Sequence, residues 1–366
     1  MCNKIFMTLA CATALPLGAQ QPLNLKIDLS KDSPVTLLTA DWGDSTAIAR
    51  GGAYQVNVRA SLSLRNSSQK RIRGVTLAVL AQEVTPGGKG SVSQPMDVAP
   101  NDSFSFRIDL ALLRPLSAGQ GVPAVEVRLD GVLFEDLSFY GPDKLHSQHN
   151  MTVWELEARR DRKYFKTLLE TAGREGLQKD MLASLAREAD RRQPGVQMVR
   201  GKSTNIETGR DIQFAFLDLP ESPVEALEGT AHISANEARA PRFEVRNRST
   251  RPVRSLEIGW VVQDEQGREF LAASLPAETS LAPGKTAPVL EQDTALKFRE
   301  SMSIGGMHGF VSSVEFADGT YWIPSRGTLD DPRLRSLVAP SPEEQRLAQI
   351  YRKKGLNALV EELKKF

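Results

Sequence analysis

Hydrophobic and polar residues alternate along much of the chain. In YQVNVRASLSL, residues 54–64, Val56, Val58, Ala60, Leu62 and Leu64 recur every second position, with Asn57, Arg59, Ser61 and Ser63 between them. A period of two puts one face of a strand against a core and the other in water. Similar short runs at 23–29, 35–40, 72–84, 103–110 and 125–129 are separated by Gly, Pro, Asn, Asp and Ser. That rhythm predicts an antiparallel β-sandwich.

The second half repeats the order. LRNSSQKRIRGV at 64–75 returns as VRNRSTRPVRSL at 245–256, an offset of 181 residues. Ser33-Pro34-Val35 returns as Ser222-Pro223-Val224, DVAPNDSFSF as LAPGKTAPVL, and Asp130-Gly131 as Asp318-Gly319, at offsets of 189, 183 and 188. Four landmarks in one order imply a duplication. Asn66 and Asn247 each end an alternating run, where Asn suits a polar hairpin loop, and the Asp-Gly pairs suit tighter hairpins.

Helical periodicity follows each set of strands. Thr152 with Glu155 and Ser341 with Glu344 have the spacing of a capping box. Trp154, Ala158, Phe165, Leu168, Leu169 and Ala172 form one apolar stripe; Leu347, Ile350, Tyr351, Leu356, Leu359, Val360 and Leu363 form another. Gly176-Leu177 and Gly355-Leu356 are expected to interrupt the two helices. The fold class is therefore mainly β with α extensions: two tandem antiparallel immunoglobulin-like β-sandwiches, each followed by a helical segment.

The second copy resembles the FxLYD domain family, bacterial extracytoplasmic domains with an immunoglobulin-like fold. Its five-residue motif falls on Trp260-Val261-Val262-Gln263-Asp264, which keeps the aromatic, the aliphatic and the Asp but lacks the Tyr. Asn247, Gly267 and Pro283-Gly284 sit where the pattern has an Asn, a Gly and a Pro-Gly, and the first copy has Val79-Leu80-Ala81-Gln82-Glu83 at the motif. The resemblance covers roughly 60 residues of each half. It implies the fold, and the family has no common enzymatic activity to carry over.

The N-terminus adds a destination. Lys4, an apolar run from Ile5 to Leu15, and Gly18-Ala19 have the layout of a secretory signal peptide. The run is too short for a transmembrane helix, which needs about 20 apolar residues. Thr8-Leu9-Ala10-Cys11 fits a lipid-attachment box poorly. Cys2 and Cys11 both fall within this segment, so a cleaved chain has no thiol, and its 45 basic residues balance 45 acidic ones. A neutral balance gives no global attraction to nucleic acid. The expected organisation is signal peptide 1–19, first sandwich 20–145, helical segment 146–193, linker 194–211, second sandwich 212–330 and C-terminal helical segment 331–366. The expected location is exported, periplasmic or secreted, with no transmembrane anchor after cleavage.

Candidate chemistry is sparse. Gly201-Lys202-Ser203-Thr204 lacks the earlier Gly of a phosphate loop, since position 196 is Val. His146 and His149 have no third metal ligand beside them in sequence. Gly305-Gly306-Met307-His308-Gly309 precedes a strand, not a helix. Neither a catalytic residue nor a cofactor or metal is assigned. Two surfaces remain. The duplicated basic turns carry Arg65, Arg71 and Arg73, then Arg246, Arg251 and Arg254, suited to anionic groups of an envelope polysaccharide or lipid headgroup. Charged turn residues equally keep sheet edges soluble. Ile350, Leu359 and Leu363 of the last stripe offer a partner surface or a core. The expected function is a non-enzymatic extracytoplasmic binding or scaffolding protein, with an envelope protein or acidic polymer as partner; an anion binder and an enzyme of unrecognised type are the alternatives.

Overall fold

The computed structural model describes residues 24–83, 87–116, 124–190, 196–200, 209–272, 276–290, 294–298 and 302–366. The signal-like segment with Cys2 and Cys11, and Gly201-Lys202-Ser203-Thr204, lie outside the described residues. The fold is mainly β with several sheets and a C-terminal helical part. It divides into two compact units, Met1–Thr152 and Val153–Phe366. The division falls inside the first helix, seven residues after the expected end of the first sheet region.

The first unit contains β1 (Asn24–Asp28), β2 (Val35–Asp41), β3 (Thr46–Arg50), β4 (Ala53–Asn66), β5 (Ile72–Leu80), β6 (Lys89–Val98), β7 (Ser103–Pro115), β8 (Ala124–Phe134) and β9 (Phe139–Tyr140). One sheet centres on β4, flanked by β2 and β3 on one edge and β7 on the other. The other runs β1-β8-β5-β6, with β9 on β8. Val56, Val58, Leu62, Leu64 and Phe106 from the first sheet share one buried core with Ile72, Val75, Leu77, Val79 and Val127 from the second. All five alternating positions of 54–64 are buried, as their period requires.

Three local expectations are corrected. β4 and β5 are not a hairpin, because they lie in different sheets and Asn66 to Ile72 is an arch between them. Apolar alternation marks a strand but not its sheet. Asp130-Gly131 is not a turn: Leu129 pairs with Leu77 and Gly131 with Thr76, leaving Asp130 as a bulge inside β8. The antiparallel expectation fails where β1 pairs with β8 in parallel, Ile27 opposite Val127, and at the parallel bridge of Phe216 with Gly309. Strand direction is not encoded in alternation either.

The first helix, α1 (Ser147–Asp190), begins five residues before Thr152. Asp143 receives the Gln148 amide at 3.0 Å, while the bulged Asp130 receives the amides of Lys144 and Leu145 and the Ser147 hydroxyl. The buried Asp130 carboxylate thus ties the helix entrance to β8. The break in α1 is at Gly173, with φ 67° and ψ −165°, not at Gly176. That backbone region is essentially confined to glycine.

The second unit holds β10 (Val196–Arg200), β11 (Arg210–Phe214), β12 (Val224–Ser234), β13 (Glu237–Asn247), β14 (Val253–Asp264), β15 (Glu269–Ala272), β16 (Pro276–Leu281), β17 (Thr286–Leu290), β18 (Thr294–Phe298), β19 (Ile304–Phe316) and β20 (Tyr321–Trp322). β10 falls within the stretch read as a linker and pairs with β18. One sheet runs β10-β18-β13-β12-β11 with β17 on β13; the other runs β15-β14-β19-β20 with β16 on β14. Phe214, Phe243 and Trp260 pack ring edge against ring face in the shared core, with centroids 5.5 to 5.6 Å from Trp260. Two short helices, α2 (Arg326–Leu329) and α3 (Pro332–Arg335), lead to α4 (Pro342–Leu363). The Ser341 hydroxyl accepts the Glu344 amide at 3.1 Å, as its spacing indicated. α4 breaks at Gly355, with φ 81° and ψ 178°, within the phrase Gly355-Leu356 expected to interrupt it.

Candidate functional site

The repeated stretches fold into two arches, each built around one buried asparagine. Asn66 closes β4, and its side-chain NH2 donates to the carbonyls of Lys70, Val98 and Ala99 at 2.9, 3.2 and 3.1 Å. Its carbonyl oxygen accepts the Ser68 amide and hydroxyl at 3.0 and 2.7 Å. Asn247 closes β13 in the same way, donating to Arg251 and Leu281 carbonyls at 2.8 and 3.1 Å and accepting from Ser249 amide and hydroxyl at 2.9 and 2.8 Å. The backbones match as well. Asn66 amide donates to Asp102 and Asn247 amide to Lys285; Asn66 carbonyl accepts from Asn101 and Asn247 carbonyl from Gly284. A side chain with two donors and two acceptor sites is what such a crossing requires, since buried backbone groups must find partners.

The neighbouring landmarks repeat their contacts. Ser33 and Ser222 hydroxyls accept the amides of Val35 and Val224 at 3.2 and 3.3 Å. Lys70 bonds Asp136 at 2.6 Å and Ser138 at 2.9 Å, and Arg251 bonds Asp318 and Thr320. Asp136, not Asp130, therefore does in the first unit what Asp318 does in the second. Its sequence lacked the Asp-Gly phrase that marks Asp318, which is why the pairing was missed.

The basic residues of these turns are turned toward the protein's own carboxylates. Arg71 and Arg73 converge on Asp97 at 2.8 and 2.7 Å. The hydrogen bond that Arg71 donates to Asp97 raises the Arg71 pKa above its usual value. Arg246 and Arg248 converge on Glu225, whose pKa is lowered chiefly by Arg248. Arg251 lies 3.8 Å over the Phe316 ring while bonding Asp318, and Arg254 reaches Glu315 at 3.1 Å. Arg65 stands exposed on β4. The Lys70 bond depresses Asp136, and the Arg251 bond holds Asp318 down at about 2.

The apolar stripe of α4 meets α1. Leu359 and Leu363 are buried with Phe165, Leu177, Met181 and Leu347, and Ile350 packs at the edge of this cluster. Sequence reading missed the ionic group beside it, because its members lie up to 183 residues apart. Arg326 bonds Glu344 at 2.5 and 3.1 Å and lies 3.6 Å from buried Asp161, which receives the Ser341 hydroxyl at 2.6 Å. Burial opposes the Arg326 charge, and Glu344 with Asp161 and Asp180 outweighs it, so its pKa rises. Burial also pushes the Asp180 carboxyl and the neighbouring Tyr164 phenol up. On the same helix Glu157 is pushed up to about 7, first by desolvation and then by Asp161 and Glu257.

Among the described residues no group of three or more His, Cys, Asp or Glu is arranged to hold a metal ion, and no helix is long and apolar enough to cross a membrane. His146 has φ 52° at the turn before α1, and His149 is buried at its first turn. Compared with known families and curated proteins, the chain matches no family model and no curated protein.

Proposed function

We propose that this is a non-enzymatic, extracytoplasmic scaffolding protein built from a duplicated immunoglobulin-like β-sandwich, each copy extended by a broken helix. The observation that carries this reading is the identical use of Asn66 and Asn247. Both spend their polar groups on the protein's own backbone and a nearby serine, and Lys70, Arg71, Arg73, Arg246 and Arg251 beside them bond its own carboxylates. Five strand pairs with like neighbours support the duplication: β4 and β13, β5 and β14, β7 and β17, β8 and β19, and β9 and β20. The resemblance of 260–264 to the FxLYD motif and the signal-like N-terminus support an exported bacterial envelope component. The discriminating experiment is capture from envelope extract with the full chain. A protein retained at physiological salt and lost when the chain is unfolded supports the scaffold. Retention of an acidic polysaccharide or lipid, abolished by Arg65→Ala with Arg254→Ala, supports the anion-binding alternative, since these two guanidiniums stand exposed.

A further inference from the structure

The ionic group around Arg326 holds more cations than its own carboxylates answer. Arg160, Arg187, Arg326 and Arg335 line one cavity of the second unit, with Glu344 as the acid among them. Arg160 and Arg187 come from α1 on either side of its break, Arg326 opens α2 and Arg335 ends α3. The side chains of Arg160, Arg187 and Arg326 are only 13, 20 and 10% exposed. Arginines scattered over a surface point to nothing, but drawing three of them out of water onto one cavity is costly unless anions answer them.

The pairing can be followed charge by charge. Arg160 gives Nε and Nη2 to Asp161 at 2.9 and 3.3 Å and Nη1 to the Pro324 carbonyl at 3.1 Å. Arg326 meets Glu344 end-on through Nη1 and Nη2, and Arg187 shares that same carboxylate through Nη2 at 2.5 Å. The Arg335 guanidinium is exposed and has no acceptor among the described residues. Matching Arg160 with Asp161 and Arg326 with Glu344 leaves two positive charges over, on Arg187 and Arg335. Asp180 and Asp330 act on the group from outside the lining; burial favours the neutral form of Asp180, and solvent screens the exposed Asp330. The donors show the same surplus. Among the described residues the Nε–H groups of Arg187 and Arg326 are buried without an acceptor. On a guanidinium, Nε and the neighbouring Nη form the side fork that grips an oxyanion.

The cavity has room for about 10 Å³, one oxygen-sized atom. A water would bring an oxygen but no charge, and a carboxylate only one negative charge. A phosphate group carries close to two at neutral pH and above, which matches the surplus. We propose that this cavity is a phosphate-binding site, with one oxygen inside, within reach of the Arg187 and Arg326 Nε–H groups, and the others turned to Arg335. The carrier is free phosphate or the headgroup of a phosphomonoester lipid, which offer the same group. The site shares no residue with the basic turns and does not rest on the scaffold reading.

The test is calorimetric titration of the full chain with sodium phosphate at pH 8, beside sodium chloride at equal ionic strength. Phosphate should bind saturably, one per chain, and chloride should not reproduce it. Arg335→Ala should weaken binding about tenfold and Arg335→Glu should abolish it. Because that side chain is exposed, neither variant should change the melting temperature without phosphate. Arg333→Ala, on the same short helix but paired with Asp331 at 2.8 Å, should bind as the native chain does. In nitrogen-15 spectra the Nε–H signals of Arg187 and Arg326 should shift as phosphate is added. Co-sedimentation with vesicles containing phosphatidic acid, competed by inorganic phosphate, would identify the carrier as lipid; phosphate binding without co-sedimentation would identify it as free phosphate. Absence of saturable binding, an equal response to chloride, or undiminished affinity in Arg335→Glu overturns the inference. That failure would leave the envelope-capture result standing, so the two readings fall separately.

Discussion

The arches at Asn66 and Asn247 differ in what lies outside them and agree in what lies inside. Within each, the same asparagine bonds the same backbone positions and the same serine two residues on. Outside, Lys70 in one becomes Arg251 in the other, and Lys70 approaches the Phe134 ring at 5.7 Å where Arg251 stacks on Phe316 at 3.8 Å. The physical chemistry divides along that line. A buried carbonyl left without its donor costs free energy that no solvent recovers, whereas an exposed ion pair competes with water and salt on nearly equal terms. Repetition therefore persists at the asparagine and relaxes at the cation.

Breaking the inner part should have the largest effect. Asn66→Ala or Asn247→Ala should each cost about 3 kcal/mol by leaving several buried partners unmet, lowering the melting temperature by roughly 10 °C in calorimetry. Next come the helix breaks: Gly173→Ala and Gly355→Ala put an alanine into a backbone region it rarely adopts, with open space around both, so the cost is backbone strain of about 1–3 kcal/mol in denaturant unfolding.

The pH response of Glu157 should be smaller and of opposite sign to that of ordinary carboxylates. Its folded pKa of about 7 lies above the unfolded value near 4.3. Between those values the folded chain holds a proton that the unfolded chain has released. Stability from this group is full below about pH 4 and is lost as the pH rises to about 7. Glu157→Gln should remove that slope in melting curves taken from pH 4 to 8; an unchanged slope would assign it to other groups.

Substitution of the cations should matter least. Lys70→Ala and Arg251→Ala should move the melting temperature by no more than about 2 °C at pH 7. Asp318 has a folded pKa of about 2, below the unfolded value near 3.9, so the Arg251 contribution is present above about pH 4 and lost as the pH falls toward 2. The gap between Arg251→Ala and the native chain should close over that acid window.

Much of this contrast was legible in the sequence. Alternation placed Val56, Val58, Ala60, Leu62 and Leu64 on the buried face, and the repeat brought Asn66 and Asn247 forward as a pair. Alternation could not say that β5 and β14 join the opposite sheet, because a hairpin and an arch begin with the same polar run. Asp130-Gly131 was misplaced for a related reason, since a bulge and a turn both suit Asp-Gly. The basic residues were visible but their acceptors were not, as Asp97, Glu225 and Glu315 lie 21 to 61 positions from the arginines they bind. The stripe at Leu359 and Leu363 was read as apolar; only the packing of α1 supplies its cover.

The most direct measurement is equilibrium unfolding of Asn66→Asp and Asn247→Asp beside the native chain at pH 7. The exchange keeps the shape and the acceptor oxygen, and replaces the NH2 that faces the carbonyls of Lys70, Val98 and Ala99, or of Arg251 and Leu281. Both variants should lose stability to a similar degree, at least as much as the alanine variants, because a buried carboxylate would face carbonyl oxygens. A change within about 0.5 kcal/mol of the native chain in either variant would contradict an architecture held by two equivalent asparagine arches.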